Sequence, residues 1–357
     1  MKKFKQLFMA GIAISALLLT ACSSDDNAQI IPDDDAFSNG VLILNEGGFG
    51  MGNASVSFLS DEGVLTNNIY DLVNNSPLGD TGQSMYFDGD RAYIVVNGSG
   101  KIEVVDRYTF ENVGTITDGL MNPRYMVIEN GKGYVSNWGN PADPLDDYIA
   151  EINLNTLSVS ASIPVVEGPE QMVVSNGKIY VAHMGGWGFG NSVSVVRASN
   201  NAVSEIQVGD IPESMYVYND VLYVLCSGKA EWTGEETQGK LFGIDTLVDL
   251  VAFEMTFPTG QHPENMVREG NTMYYTIADQ VFATNADMPG APANPLFSMS
   301  GQGVFGAYGF AVNNGKIYVG DAGDYVSNGT LYIYDVAGNL LEQHIVGPLP
   351  NYFGFNN

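Results

Sequence analysis

Apolar and polar positions along this chain alternate in short runs, and the runs repeat. Six segments share one pattern: a Met or Phe after a Pro- or Gly-containing turn, a short strand, a tight turn, then a strand containing Tyr. They read GQSMYFDGDRAYIV, PRYMVIENGKGYVS, PEQMVVSNGKIYVA, PESMYVYNDVLYVL, PENMVREGNTMYYT and AYGFAVNNGKIYVG. Their tyrosines, Tyr93, Tyr134, Tyr180, Tyr223, Tyr274 and Tyr318, are spaced by 41, 46, 43, 51 and 44 residues. Periods of roughly 40 to 50 residues, each holding four short strands, are the mark of a β-propeller. In the unit beginning at Pro169, EQMVVS, KIYVAHM, SVSVVRA and AVSEIQVG show partial period-two alternation or short runs rich in Val and Ile, as strands do. Asn176-Gly177 suits a type I′ hairpin, and Asn130-Gly131 and Asn314-Gly315 recur at the same place in other units. No stretch carries a helix period over a useful length.

The ends of the chain supply a seventh unit. GVLILNEGG matches a second strand and is followed by ASVSFLS and LTNNIYDLV, while PNYFGFN at the C-terminus matches the first strands PRYMVI and AYGFAV. The pattern therefore predicts an all-β, seven-bladed propeller over residues 40–357, with four antiparallel strands per blade. The C-terminal strand joins the first blade and closes the ring, which removes exposed sheet edges.

This topology separates two faces. In a four-stranded antiparallel blade, the loop joining strands two and three lies on the same face as the connection into the next blade. Those loops are long and irregular: NEGGFGMGN, NWGNPADPLDDY, HMGGWGFGN, CSGKAEWTGEETQGK and GDAGDYVSNG. The turns expected on the opposite face are short: DGD, NGK, LNT and SNN. Insertions concentrated on one face of a repeat protein mark a binding face. The long loops hold all three tryptophans, Trp138, Trp187 and Trp232, with Phe49, Phe189 and Tyr325. Such rings offer contact area to planar ligands and to proteins, or cap the grooves between blades. A second ring, Gln83, Arg124, Glu170, Glu213, Glu264, Tyr308 and Tyr352, enters the innermost strands and should surround the central funnel. Glu170, Glu213 and Glu264 suit an oxygen-ligated cation such as Ca²⁺, or else brace blade-linking turns through nearby backbone N–H groups.

The N-terminus changes the setting. MKKFK is a basic start, and FMAGIAISALLL is apolar but too short to span a bilayer. It runs into Leu19-Thr20-Ala21-Cys22 and then Ser23-Ser24-Asp25-Asp26-Asn27. The chain thus divides into a signal at 1–21, a tether at 22–39 and the propeller at 40–357. The signal holds three of the 14 basic residues and none of the 41 acids, leaving 11 basic residues and a net charge of −30. That charge repels nucleic acid and favours neutral or cationic ligands. The second cysteine, Cys226, lies in the context LYVLC, which reads as a buried strand with an inert core thiol. There is no G-x-S-x-G, P-loop, H-E-x-x-H or dinucleotide-binding glycine pattern, and GGFGMG lies between two strands with no helix to hold phosphate. Of the three histidines, His183 ends a strand near Trp187, His262 precedes a blade entry, and His344 sits in an outer strand.

Leu19-Thr20-Ala21-Cys22 resembles the lipobox of bacterial lipoproteins, which implies acylation of Cys22. The acidic run after it resembles the export signal of Bacteroidota lipoproteins, which implies the outer face of the outer membrane. The units of the type GPEQMVVSNGKIYVAHMG and the opening VLILNEGGFGMGNASVSFLS resemble the YncE-like seven-bladed propellers, across essentially residues 40–357. These are similar in fold to quinoprotein dehydrogenase propellers, yet no cofactor motif accompanies the likeness. Together the features look most like surface lipoproteins of the BtuG cobalamin-capturing type. That resemblance implies no catalysis and no required cofactor, binding of cobalamin or a related corrinoid, and docking to a TonB-dependent outer-membrane transporter. Two other functions stay open on the residues: a Ca²⁺-dependent, lactonase-like hydrolase at the funnel, and a protein-interaction scaffold or adhesin.

Overall fold

The computed structural model describes residues 35–356; the signal and Cys22 lie outside the described residues. Seven four-stranded antiparallel sheets form a ring. Blade 1 is the split one: Pro350–Asn356 is innermost, followed outward by Gly40–Asn45, Ser55–Ser60 and Leu65–Thr66. Leu42 sits between Phe58 and Gly354 in this sheet, so the two chain ends share one ladder. The seven blades and their closure agree with the sequence pattern.

The repeat has a packing cause. Each blade buries both faces against its neighbours, so second and third strands are nearly continuous apolar runs, such as Ile179–Ala182 and Leu222–Cys226. The repeated Met85, Met126, Met172, Met215 and Met266 are buried between blades, with Phe353 at the same place in blade 1. The repeated tyrosines all point into these seams, and Tyr93, Tyr134 and Tyr180 are almost wholly enclosed. At the hairpins, Asn130, Asn176 and Asn314 take φ near +50° and the following glycines φ near +71°, as type I′ turns require.

Two local expectations are corrected. LTNNIYDLV is not a full outer strand: it gives only Leu65–Thr66 and then a short helix, Ile69–Asn74. Ile69, Tyr70 and Val73 share one buried side, and left-handed Asn68 and Asn75 bound the turn. The Asn74 side chain donates to Phe110 O at 2.9 Å and accepts from Asn112 N at 2.8 Å, fixing the helix against blade 2. The short-turn face also has a long segment, residues 286–296, before the two-residue outer strand Phe297–Ser298 of blade 6.

The closing strand is clamped by Arg107. Its Nε donates to Asn356 Oδ1 and its Nη2 to Phe355 O, both at 2.9 Å, while the guanidinium lies 4.3 Å from the Phe87 ring centroid. Arg107→Ala removes these contacts and leaves buried acceptors behind. It is expected to cost about 2–3 kcal/mol, read as a lower urea midpoint with an unchanged slope.

Candidate functional site

The long loops do gather on one face, around the mouth of the funnel. The loop of blade 4 is shaped by close backbone approach: a Cβ on Gly168 would fall 2.0 Å from Gly186 N, and one on Gly190 would fall 2.0 Å from His183 O. Gly168 N also donates to the buried Asp147 carboxylate at 2.6 Å, joining the loops of blades 3 and 4. Burial first, then neighbouring acids, push this carboxyl up to about 6. These constraints leave Trp187 projecting, 80% exposed.

Trp138 lies partly buried beside it, with ring centroids 6.1 Å apart and planes 68° from parallel. The Arg124 guanidinium lies over the Trp138 ring at 4.3 Å from its centroid, and its Nε donates to Glu170 Oε1 at 2.9 Å. Phe189 is half exposed, with Lys229 Nζ 5.6 Å from its ring. Together Arg124, Tyr125, Trp138, Glu170, Phe189 and Glu213 line a cleft of about 400 Å³. The Trp138 Nε1 is buried without a hydrogen-bond partner.

Across the funnel, Tyr308 donates its hydroxyl to Glu46, and Tyr325 packs edge-on against Tyr308 at 5.9 Å. A line of contacts therefore crosses the mouth from Tyr325 through Tyr308 and Glu46 towards Arg124, Trp138 and Trp187. Phe49 and Trp232 stand outside it, each 84% exposed on its loop tip. Gln83 hydrogen-bonds Tyr125. Tyr352 packs against the seam of blades 1 and 2, and burial pushes its hydroxyl up to about 12.

The funnel carboxylates are unlike one another. Glu170 is buried and paired with Arg124; burial raises its carboxyl, and the guanidinium opposes that. Glu213 accepts from Asn265 N at 2.9 Å, and burial, reinforced by Glu264 and Glu170, pushes it up to about 7. Glu264 opens to the channel, and burial around it raises its carboxyl while His262 lowers it. Among the described residues no group of three or more His, Cys, Asp or Glu is placed to hold a metal ion.

His183, His344 and the thiol lie apart from this chemistry. His183 is buried, bonded to Ser194 Oγ at 2.8 Å, and pushed down to about 4 by desolvation, so it is neutral and does not line the cleft. His262 Nδ1 pairs with Ser227 O at 2.9 Å, and His344 lies 3.1 Å from Glu342 on an outer strand. Cys226 is fully buried and its thiol is pushed up by desolvation, which makes it inert.

Two residues escaped the sequence reading. Glu46 follows the second strand of blade 1, and burial raises its carboxyl beside Tyr308. Phe305, 82% exposed, sits in the connection entering blade 7 and lines a further cleft with Tyr325. A search of blade connections as well as blade loops for Gly-flanked aromatics would have found it.

Residues 39–287 match the family described as a domain of unknown function, DUF5074. The match covers more than half of the chain, which therefore belongs to that family. No protein of curated function matches the sequence. Among solved structures, the chain is similar to a quinoprotein alcohol dehydrogenase-like protein of Bacteroides thetaiotaomicron: TM-score 0.66, 15% identity, 90% of this chain and 79% of that one. It is also similar to BamB of Moraxella catarrhalis, with TM-score 0.51, 16% identity, and 87% and 83% of the two chains covered. Hydrazine synthase of Kuenenia stuttgartiensis aligns at TM-score 0.56 and 15% identity, over 74% of this chain and 85% of that one. At these identities the likeness is one of fold.

Glu213 makes the funnel pH-sensitive. Its folded value near 7 lies above its ordinary 4.5, so the stability it contributes is full below about 4.5 and is lost as pH rises through 7. Glu213→Gln keeps an acceptor for Asn265 N and removes the titration. Its stability advantage over wild type should grow by roughly 1–3 kcal/mol from pH 5 to pH 8, measured by chemical unfolding at both values.

Proposed function

We propose that this DUF5074 propeller is a non-catalytic ligand-capture lipoprotein, with its long-loop face as the binding face. The observation that carries the reading is the indole pair Trp138–Trp187, with Arg124 over the Trp138 ring, at a cleft by the funnel. A cleft with aromatic walls and a few fixed polar groups is the usual form of a small-molecule site. The specific ligand we favour is cobalamin or a related corrinoid. Its support is the resemblance of the chain to BtuG-type propellers, together with a ligand surface that is broad, partly apolar and fringed with amides. Delivery to a TonB-dependent transporter at the outer membrane belongs to the same reading, as does anchoring through acylated Cys22. A scaffolding role has one observation in its favour: Phe49 and Trp232 are strongly exposed and lie away from the cleft.

Isothermal titration with cyanocobalamin tests the ligand. Tight saturable binding is expected, and Trp187→Ala should weaken it at least about tenfold, as for a hot-spot aromatic. Because Trp187 is 80% exposed, its melting temperature should not change. No binding at micromolar concentrations overturns the corrinoid assignment. For the anchor, a clickable palmitate analogue should label the wild-type protein in cells and fail to label Cys22→Ala; equal labelling of both contradicts it.

A further inference from the structure

The aromatic rings of the long-loop face are matched by the protein's own cations on one side of the funnel only. There Arg124 covers Trp138 and Lys229 approaches Phe189. Among the described residues, the Lys and Arg side chains that reach this face, Lys101, Arg124, Lys229 and Lys240, are also paired with glutamates, and all four belong to blades 2, 3 and 5.

The opposite side, at blade 7, has the same kinds of groups and no cation. A cleft of about 530 Å³ lies between residues 299–308, which enter the blade, and its long loop at 322–329. Its walls carry Phe305 and Tyr325, 82% and 62% exposed, and its lining includes Asp321 and Asp324. Among the described residues, neither aspartate forms an ion pair, and no Lys or Arg lies over either ring.

The loop is braced rather than loose. Asp324 accepts from Val326 N at 2.9 Å and from Ser327 N at 2.7 Å, and Asp321 accepts from Gly323 N at 3.0 Å. Tyr325 is held at φ +63°, a left-handed conformation that is costly for a bulky residue. Its ring is steadied edge-on by Tyr308.

We propose that this cleft binds an organic cation, an ammonium group on a small molecule, between Phe305 and Tyr325 with Asp321 beside its charge. The negative faces of the two rings attract a desolvated cation, and the carboxylate supplies the counter-charge that no protein cation provides. The net charge of −27 raises the local concentration of such ligands. The site uses none of the residues of the Arg124–Trp138–Trp187 cleft, and it stands or falls independently of the corrinoid reading.

The test is titration of the purified full-length protein with choline and with its uncharged isostere 3,3-dimethylbutan-1-ol. Choline should bind saturably in the millimolar range, at least about tenfold more tightly than the isostere, as cation–π recognition requires. Phe305→Ala and Tyr325→Ala should each weaken it at least about fivefold, while Tyr325→Phe and Trp187→Ala leave it unchanged. Asp321→Asn keeps the acceptor for Gly323 N and should weaken choline several-fold. Four of the five variants alter exposed positions and Asp321→Asn alters a half-buried strand end, and unchanged melting temperatures confirm their folding. Absence of saturable binding, equal affinity for the isostere, indifference to both aromatic truncations, or loss of binding in Trp187→Ala overturns the proposal.

Discussion

The structure depends on one constraint: a four-stranded blade buries both of its faces only if it has a neighbour on each side. A ring satisfies that requirement for every blade, and an open array does not. The chain meets it by giving its last strand, Pro350–Asn356, to the blade that contains its first strand, Gly40–Asn45. The clamp at Arg107 and Asn356 holds that joint, and Asn356 Nδ2 ties it to Phe37 O at 2.8 Å and to Arg107 O at 2.7 Å. Because the seams are filled by Met, Tyr, Val and Ile, they have little room for chemistry. Function is left to the loops and to the funnel, where the innermost strands cannot close off the axis.

On that axis the electrostatics are governed by scarcity of positive charge. Arg124 acts on Glu46 and Glu170, and His262 on Glu264. Arg124 serves Glu170 by direct pairing and lies close enough to Glu46 to lower its carboxyl. Glu213 has no such partner, and burial, reinforced by Glu264 and Glu170, pushes its carboxyl up to about 7. The same guanidinium lies over Trp138, so charge balance in the funnel and the shape of the aromatic cleft share one residue.

Much of this was legible from the residues. The Tyr spacing, the Asn-Gly hairpins and the matching ends specify seven blades because each reports a contact that every blade repeats. The helix Ile69–Asn74 was not legible, since Ile, Tyr, Leu and Val in IYDLV suit a strand as well as one helical turn, and packing against blade 2 decides. Segment 286–296 lengthens a turn without changing the count of strands, so the repeat does not reveal it. For the site, the position of Arg124 at a blade entry was readable, and so was the crowding of tryptophans on one face. Its pairing with Glu170 was not, because it joins blades 3 and 4, and its stacking on Trp138 was not, because the path of the long loop within blade 3 decides where that ring lies. Glu46 was hidden for the same reason: its partner Tyr308 lies 262 positions away.

The central claim is that ligand is captured on the long-loop face, and the tryptophans make that face a reporter of its own occupancy. All three, Trp138, Trp187 and Trp232, lie there and none lies in the blade seams. The most direct measurement is tryptophan emission during titration with cyanocobalamin, corrected for the absorbance of the ligand. Saturable quenching that follows the binding isotherm is the predicted result. Binding by calorimetry with emission unchanged would place the ligand elsewhere on the propeller and contradict the account.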